Sequence, residues 1–224
     1  MGADVSPDDS LPPRDGLPPK PKLPPIPTSL SDPRPTPDAP WKDAWIRRWI
    51  ERHRTHGSHD RALGSCYGDR CVLKQYIAPT EPPVHPQMIP FVIFQTWKST
   101  EVGLRQFWAM QTIVKMNPEY EYLLFTDDDC WQFICDNFDA SVQRAYELVR
   151  PGATKADIWR LLVLLKCGGV YIDSGCFVRG RFASKIGPDS SVVSGMYKDL
   201  HQWCVLVGQL CSSVARRLPW SVTL

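Results

Sequence analysis

The chain has 224 residues, 43% of them hydrophobic and 22% charged, a balance that suits one globular domain with tails. A formal charge of +2, with no stripe of Lys and Arg along any expected helix, is too small to argue for nucleic acid, and none is expected as a partner. No run of about 18 apolar residues and no charged-then-apolar leader is present, so neither a transmembrane segment nor a signal peptide is expected in this chain.

Thirteen of the 22 prolines fall in residues 1–40, a stretch with few apolar anchors that reads as a disordered Pro-rich tail. Residues 41–87 read as an amphipathic helix and a linker. Trp41, Trp45 and Trp49 recur every four residues beside Ile46 and Ile50, and the opposite face is basic. That stripe is expected to pack on the main domain; the sharper reading is peripheral membrane contact through 41–54. His53, His56, His59, Cys66 and Cys71 are zinc-type ligands whose spacing does not match the usual pairs, so a surface loop is expected there. The eight cysteines suit either disulfides or buried thiols.

From Met88 onward the pattern is that of a folded domain, 88–224. "FVIFQTW" reads as a buried strand, "LRQFWAMQTIVKMNP" as a helix stopped near Asn117 and Pro118, and "YEYLLFTD" as a second strand. "DDDCWQFICDNF" opens with acids that suit a helix N-terminus, and "SVQRAYELV" is a further short helix. "ATKADIWRLLVLLKCGG" is a helix closed by Gly168 and Gly169, and "VYID" is a third strand. Beyond it, "SSVVSGMY" reads as a strand and "HQWCVLVGQLCSSVARRL" as a helix. Strands alternating with helices predict an α/β fold, a mostly parallel sheet flanked by helices, with its ligand site beyond the strand C-termini.

Three strand ends would converge there: Gln95-Thr96-Trp97, Thr126-Asp127-Asp128-Asp129 and Asp173-Ser174-Gly175. Trp97 could stack on a planar base, and Asp173 could hold a cation bridging a diphosphate. Asp157 and Arg160 lie three apart on one helix face. Each also has a plainer reading: Trp97 as core, Asp127 as a helix cap, Asp157–Arg160 as a surface ion pair.

Together "IPFVIFQTWKS", "NPEYEYLLFTDDD" and "KADIWRLLVLLKCGGVYID" resemble the glycosyltransferase family with the sugar-binding region containing a DXD motif, which includes fungal α-1,6- and sphingolipid mannosyltransferases. The resemblance covers roughly residues 88–176. It implies a GT-A-like (Rossmann-like) fold, a nucleotide-sugar donor such as GDP-mannose, a glycan or lipid acceptor, retention of anomeric configuration, and Mn2+ or Mg2+. By the same resemblance Gln95, Thr96, Trp97, Asp157, Arg160 and Asp173 bind the nucleotide sugar. Asp157, Arg160 and Asp173 form the catalytic set, and Asp173 is the metal ligand. Residence in the Golgi or secretory pathway is likewise implied. The second aspartate of DXD falls at Gly175, which has no side chain, so the metal would be weakly held. A catalytically impaired homologue that binds nucleotide sugars or partners is therefore the alternative. The domain is short for this family, and the chain is read as partial, truncated at its C-terminus.

Overall fold

The computed structural model describes residues 44–54, 61–150, 152–190, 193–196 and 203–206. Of the two units into which the chain divides, Met1–Pro33 lies wholly outside these residues, and so does the rest of the expected tail. Trp41, His56 and His59 also lie outside them.

The centre of the fold is a run of three parallel strands. Strand β4 (Val92–Thr96) pairs in parallel with β6 (Glu121–Phe125) on one side and with β7 (Val170–Tyr171) on the other. Helix α2 (Leu104–Met116) lies between β4 and β6 in the chain. Helices α3 (Asp127–Asn137), α4 (Ala140–Leu148) and α5 (Gly152–Cys167) lie between β6 and β7. The chain therefore leaves β4 in one direction and comes back to its opposite flank, which makes the gap between β4 and β7 a topological switch point.

Alternation along the strands feeds two cores. Ile93, Tyr122, Leu124, Val170 and Ile172 face Phe107, Met110, Ile113 and Val114 of α2. Val92, Phe94, Leu123, Phe125 and Tyr171 face Phe133 and Ile134 of α3 and Trp159, Val163 and Leu164 of α5. Both cores reach full burial at most of these positions, so the sheet is covered on both faces.

The edges differ from the expectation of a mostly parallel sheet. β3 (Tyr76–Ile77) adds antiparallel to β6. β9 (Trp203–Leu206) adds antiparallel to β7, and β8 (Val193–Met196) antiparallel to β9. The architecture is mixed α/β, parallel at its centre and antiparallel at its flanks. Two features hid this in the sequence. β3 has two residues, too few for any period, and "WCVL" is a short apolar run that suits a strand or a helix equally. The helix expected over 201–218 is thus replaced by a strand at Trp203–Leu206, and the remainder of that segment lies outside the described residues.

The segment expected as helix and linker is built into the fold. Helix α1 (Ala44–His53) buries Ile46, Trp49 and Ile50 in the second core, with Trp49 stacked on Phe125 at 4.3 Å between ring centroids. Trp45 donates its indole N–H to Asp136 at 2.7 Å. These two tryptophans pack on the domain, as expected of the stripe, and the helix keeps Arg48 and Arg52 exposed on its other side. Strands β1 (Gly64–Tyr67) and β2 (Arg70–Leu73) form a hairpin that pairs through β2 with β5 (Glu101–Gly103). A Cys66–Cys71 disulfide links the two arms, so neither cysteine is a thiolate available to zinc. Just before the hairpin, Arg61 donates to the carbonyls of Val114, Asn117, Pro118 and Tyr120, capping the C-terminal end of α2 against the start of β6.

Candidate active site

The glycine pair that ends α5 sets the site in place. Gly168 has φ 67° and its N–H returns to Leu164 O at 2.9 Å, a left-handed helix stop. Gly169 has φ 97°, and a Cβ there would sit 2.5 Å from Val92 Cγ1 and 3.0 Å from Val92 O. Only glycine allows α5 to turn this tightly onto β7 beside β4.

Beyond that turn, strand parity sets which side each residue takes. Tyr171 faces α5, and Asp173, two residues on along extended chain, emerges on the same side. Arg160, one face of α5 away, meets it: Arg160 Nη2 donates to Asp173 Oδ1 at 2.9 Å and to Asp157 Oδ1 at 2.6 Å. The Arg160 guanidinium lies over the Tyr171 ring, 4.8 Å from its centroid. The Tyr171 hydroxyl shares a hydrogen bond with Thr96 Oγ1 at 3.0 Å, which ties the cluster to the end of β4. The Arg160 side chain is 8% exposed, Asp173 24% and Asp157 60%, so the charges grade from the protein interior outward.

The electrostatics reflect this grading. Burial pushes the Asp173 carboxyl above its ordinary range; Arg160 opposes that shift, Asp157 reinforces it, and a hydrogen bond with Tyr171 opposes it. Two carboxylates against one guanidinium leave the cluster a formal charge of −1. Burial also raises the Tyr171 phenol, so its O–H stays protonated as a donor.

Asp157, Arg160 and Asp173 are thus brought together, and Thr96 joins them through Tyr171. Gln95 is placed differently. It is 0% exposed, its amide nitrogen donates to Ile172 O at 3.1 Å, and its amide oxygen accepts from Tyr122 Oη at 2.8 Å. With both ends of the amide engaged inside the sheet, Gln95 fixes the β4–β7 spacing rather than facing a ligand. Trp97 leaves the sheet end, its indole N–H donating to Glu101 O at 3.2 Å, and lines a cleft of about 470 Å³ shared with Arg70 and Lys98. Asp127–Asp129, the literal D-x-D, opens α3. Asp129 forms a capping box with Thr126 and also accepts from Trp49 and Gln75, so it is a structural acid, as its place in a first helical turn suggested.

The loop after Asp173 closes with Cys176 N–H on Asp173 O at 3.1 Å, which puts Ser174 and Gly175 at the tip of a turn. Gln106 in the first turn of α2 donates to Ser174 Oγ at 3.4 Å. Among the described residues no group of three or more His, Cys, Asp and Glu side chains gathers to hold a metal. The oxygen donors and the −1 charge of the cluster fit a hard cation that brings most of its ligands with it, as one bound to a diphosphate does. They do not make a closed protein cage, because position 175 contributes no side chain.

Sequence reasoning passed over Tyr171. Its signal was present, since a residue two before Asp173 in a strand must share its face.

Comparison with known proteins bears on the same residues. Residues 105–193 match the family described as glycosyltransferase sugar-binding region containing DXD motif. Inositol phosphoceramide mannosyltransferase 2 of Schizosaccharomyces pombe is 38% identical over 91 residues, 40% of this chain and 26% of that protein. Mannosyl phosphorylinositol ceramide synthase SUR1 of Saccharomyces cerevisiae is 32% identical over 107 residues, 47% of this chain and 28% of its own. Initiation-specific alpha-1,6-mannosyltransferase of Candida albicans is 31% identical over 114 residues, 47% and 29% respectively. The chain spans about a quarter of the length of these relatives. No solved structure matches it.

Proposed function

We propose, from the match of residues 105–193 to the glycosyltransferase sugar-binding region containing DXD motif, a GT-A-like hexosyltransferase that moves mannose from a nucleotide sugar to a glycan or lipid hydroxyl. The observation that carries the reading is the Asp157–Arg160–Asp173 cluster, standing over Tyr171 beside the switch point between β4 and β7. The names of the relatives, each recording mannosyl transfer, support the choice of sugar.

In this reading Asp157 accepts hydrogen bonds from donor-sugar hydroxyls, and Arg160 holds both carboxylates at the spacing the sugar meets. Thr96 and Tyr171 keep Arg160 and Asp173 in place, and Trp97 flanks the nucleoside. Asp173 would hold a Mn2+ or Mg2+ ion, whose chemistry is to neutralise the charge that builds on the departing nucleoside diphosphate. The Cys66–Cys71 disulfide supports an oxidising compartment such as the secretory lumen. No helix among the described residues is long and apolar enough to cross a membrane.

Gly175 favours a second reading, a homologue that binds the nucleotide sugar and no longer turns it over. Calorimetric titration of GDP-mannose and UDP-sugars in Mn2+, paired with a mannosyl-transfer assay on a phosphoinositol sphingolipid, separates them. Binding lost in Asp173→Ala together with transfer supports the enzyme. Binding without transfer supports the second reading, and no binding of any nucleotide sugar overturns both.

A further inference from the structure

The charge count at the sheet end leaves a gap. A nucleotide sugar carries a diphosphate, and a phosphoinositol lipid a phosphodiester, so the substrates of the proposed reaction are anionic. Arg160, the cation inside the cluster, is already met by two carboxylates, and the cluster is formally −1. Apart from what a bound cation would supply, positive charge for a substrate phosphate has to come from side chains outside the cluster.

The cleft that begins at Trp97, one residue past Thr96, supplies such charge. Its volume of about 470 Å³ falls in the range of small-molecule sites. One wall is the loop after β4, with Trp97, Lys98 and Ser99; the other is Arg70 of the β1–β2 hairpin, with Glu101 and Val102 of β5 behind it. Two cations face one acid, so the cleft carries a formal charge of +1. Arg70 is 84% exposed and pairs with Glu101 at a loose 3.6 Å, a contact in water that gives way readily to a phosphate. Arg70 adjoins Cys71, and the Cys66–Cys71 bond joins the arms of the hairpin on either side of its turn. The hairpin lies outside residues 105–193, so nothing in the family match assigns it a role.

We propose that the Trp97 cleft is a phosphate subsite, in which Arg70 and Lys98 take a phosphate group of a substrate beside the Trp97 ring. The ligand class rests on the glycosyltransferase reading, and its phosphate has two sources, the donor diphosphate or the acceptor phosphodiester.

The test compares the whole chain with an Arg70→Ala/Lys98→Ala variant by calorimetry, using GDP and myo-inositol 1-phosphate as probes and guanosine and myo-inositol as uncharged controls. Both side chains are at the surface, and a thermal melt equal to the parent's checks the fold. The expected result is that one of the two phosphates binds about tenfold more weakly to the variant, with a shallower salt dependence, while its uncharged control is unchanged. The probe that responds identifies the source. Equal binding of both phosphates to parent and variant overturns the subsite and leaves the glycosyltransferase reading standing. Inositol phosphate binding that depends on Arg70 and Lys98, with no binding of GDP or GDP-mannose, upholds the subsite and overturns the donor reading. Absence of binding by either phosphate to the parent overturns the subsite.

Discussion

Arg160 Nη2 lies 2.9 Å from Asp173 Oδ1, joining the middle of helix α5 to the aspartate just beyond β7. The pair is buried on the arginine side and half open on the aspartate side, so it acts both as a tertiary clamp and as the floor of a site. Removing Arg160 strands a carboxylate whose pKa burial already raises. Arg160→Leu is expected to cost about 2–3 kcal/mol at pH 7. A raised folded-state pKa means stability is fully present below the ordinary value of 3.8 and is lost as pH rises through the folded value. Without Arg160 that value climbs further, so denaturant melts should show the variant's deficit growing from pH 4 to pH 7. A deficit that is flat with pH would contradict the pairing.

Asp129 behaves in the opposite sense. Burial works against its ionisation, but the Thr126 hydroxyl and N–H, the Trp49 indole and the Gln75 amide outweigh that and hold its carboxyl below the usual range. The stability it contributes is present above 3.8 and lost as pH falls through its lowered value. Asp129→Ala should cost about 2 kcal/mol near neutrality, from a lost cap and donors left unpaired. The difference from the parent should close in acid melts below pH 3.8.

Trp49 is 2% exposed within the aromatic group formed with Phe125 and His53, so Trp49→Ala should cost about 3–5 kcal/mol in urea unfolding. Arg48→Ala and Arg52→Ala on the outer face should leave unfolding unchanged within error. Equal sensitivity of the two faces would refute the packing of α1.

Gly169→Ala meets both a positive φ and the Val92 side chain and carbonyl, and should cost about 2–4 kcal/mol. Because β7 leads directly to Asp173, donor binding should fall with it even at temperatures where the variant stays folded. Gly180→Ala, with open space at its Cβ and no place in the lining of the Trp97 cleft, is the control and should keep both stability and binding.

Gly175→Asp restores a carboxylate two residues after Asp173, at the turn tip. Mn2+ affinity, read by electron paramagnetic resonance in the presence of GDP, should rise by roughly tenfold or more as a second hard oxygen ligand is added. Unchanged Mn2+ affinity would mean that position 175 does not face the cation.

The sequence by itself determined the central strands, the helices between them and the chemistry at their ends. Each depends on local patterns: apolar runs in β4 and β6, the helical period and glycine stop of α5, and the acidic first turn of α3. It also brought Asp157 and Arg160 onto one face, since three residues apart on a helix is a local fact. Other features arise between distant segments and were decided by the tertiary structure alone. β3 and β9 owe their places to partners rather than to their own few residues, so the flanks turned out antiparallel. Gln95, polar and at a strand end, looked like a ligand-facing residue until Ile172 and Tyr122 were found holding its amide. Arg160 met its second carboxylate only when the return of α5 onto β7 set Asp173 against it, and Arg70 joined Lys98 in one cleft only when the hairpin folded beside Trp97. Local sequence dictates which groups are present and which face they take; long-range packing dictates which charges meet, and that sets where a phosphate can bind.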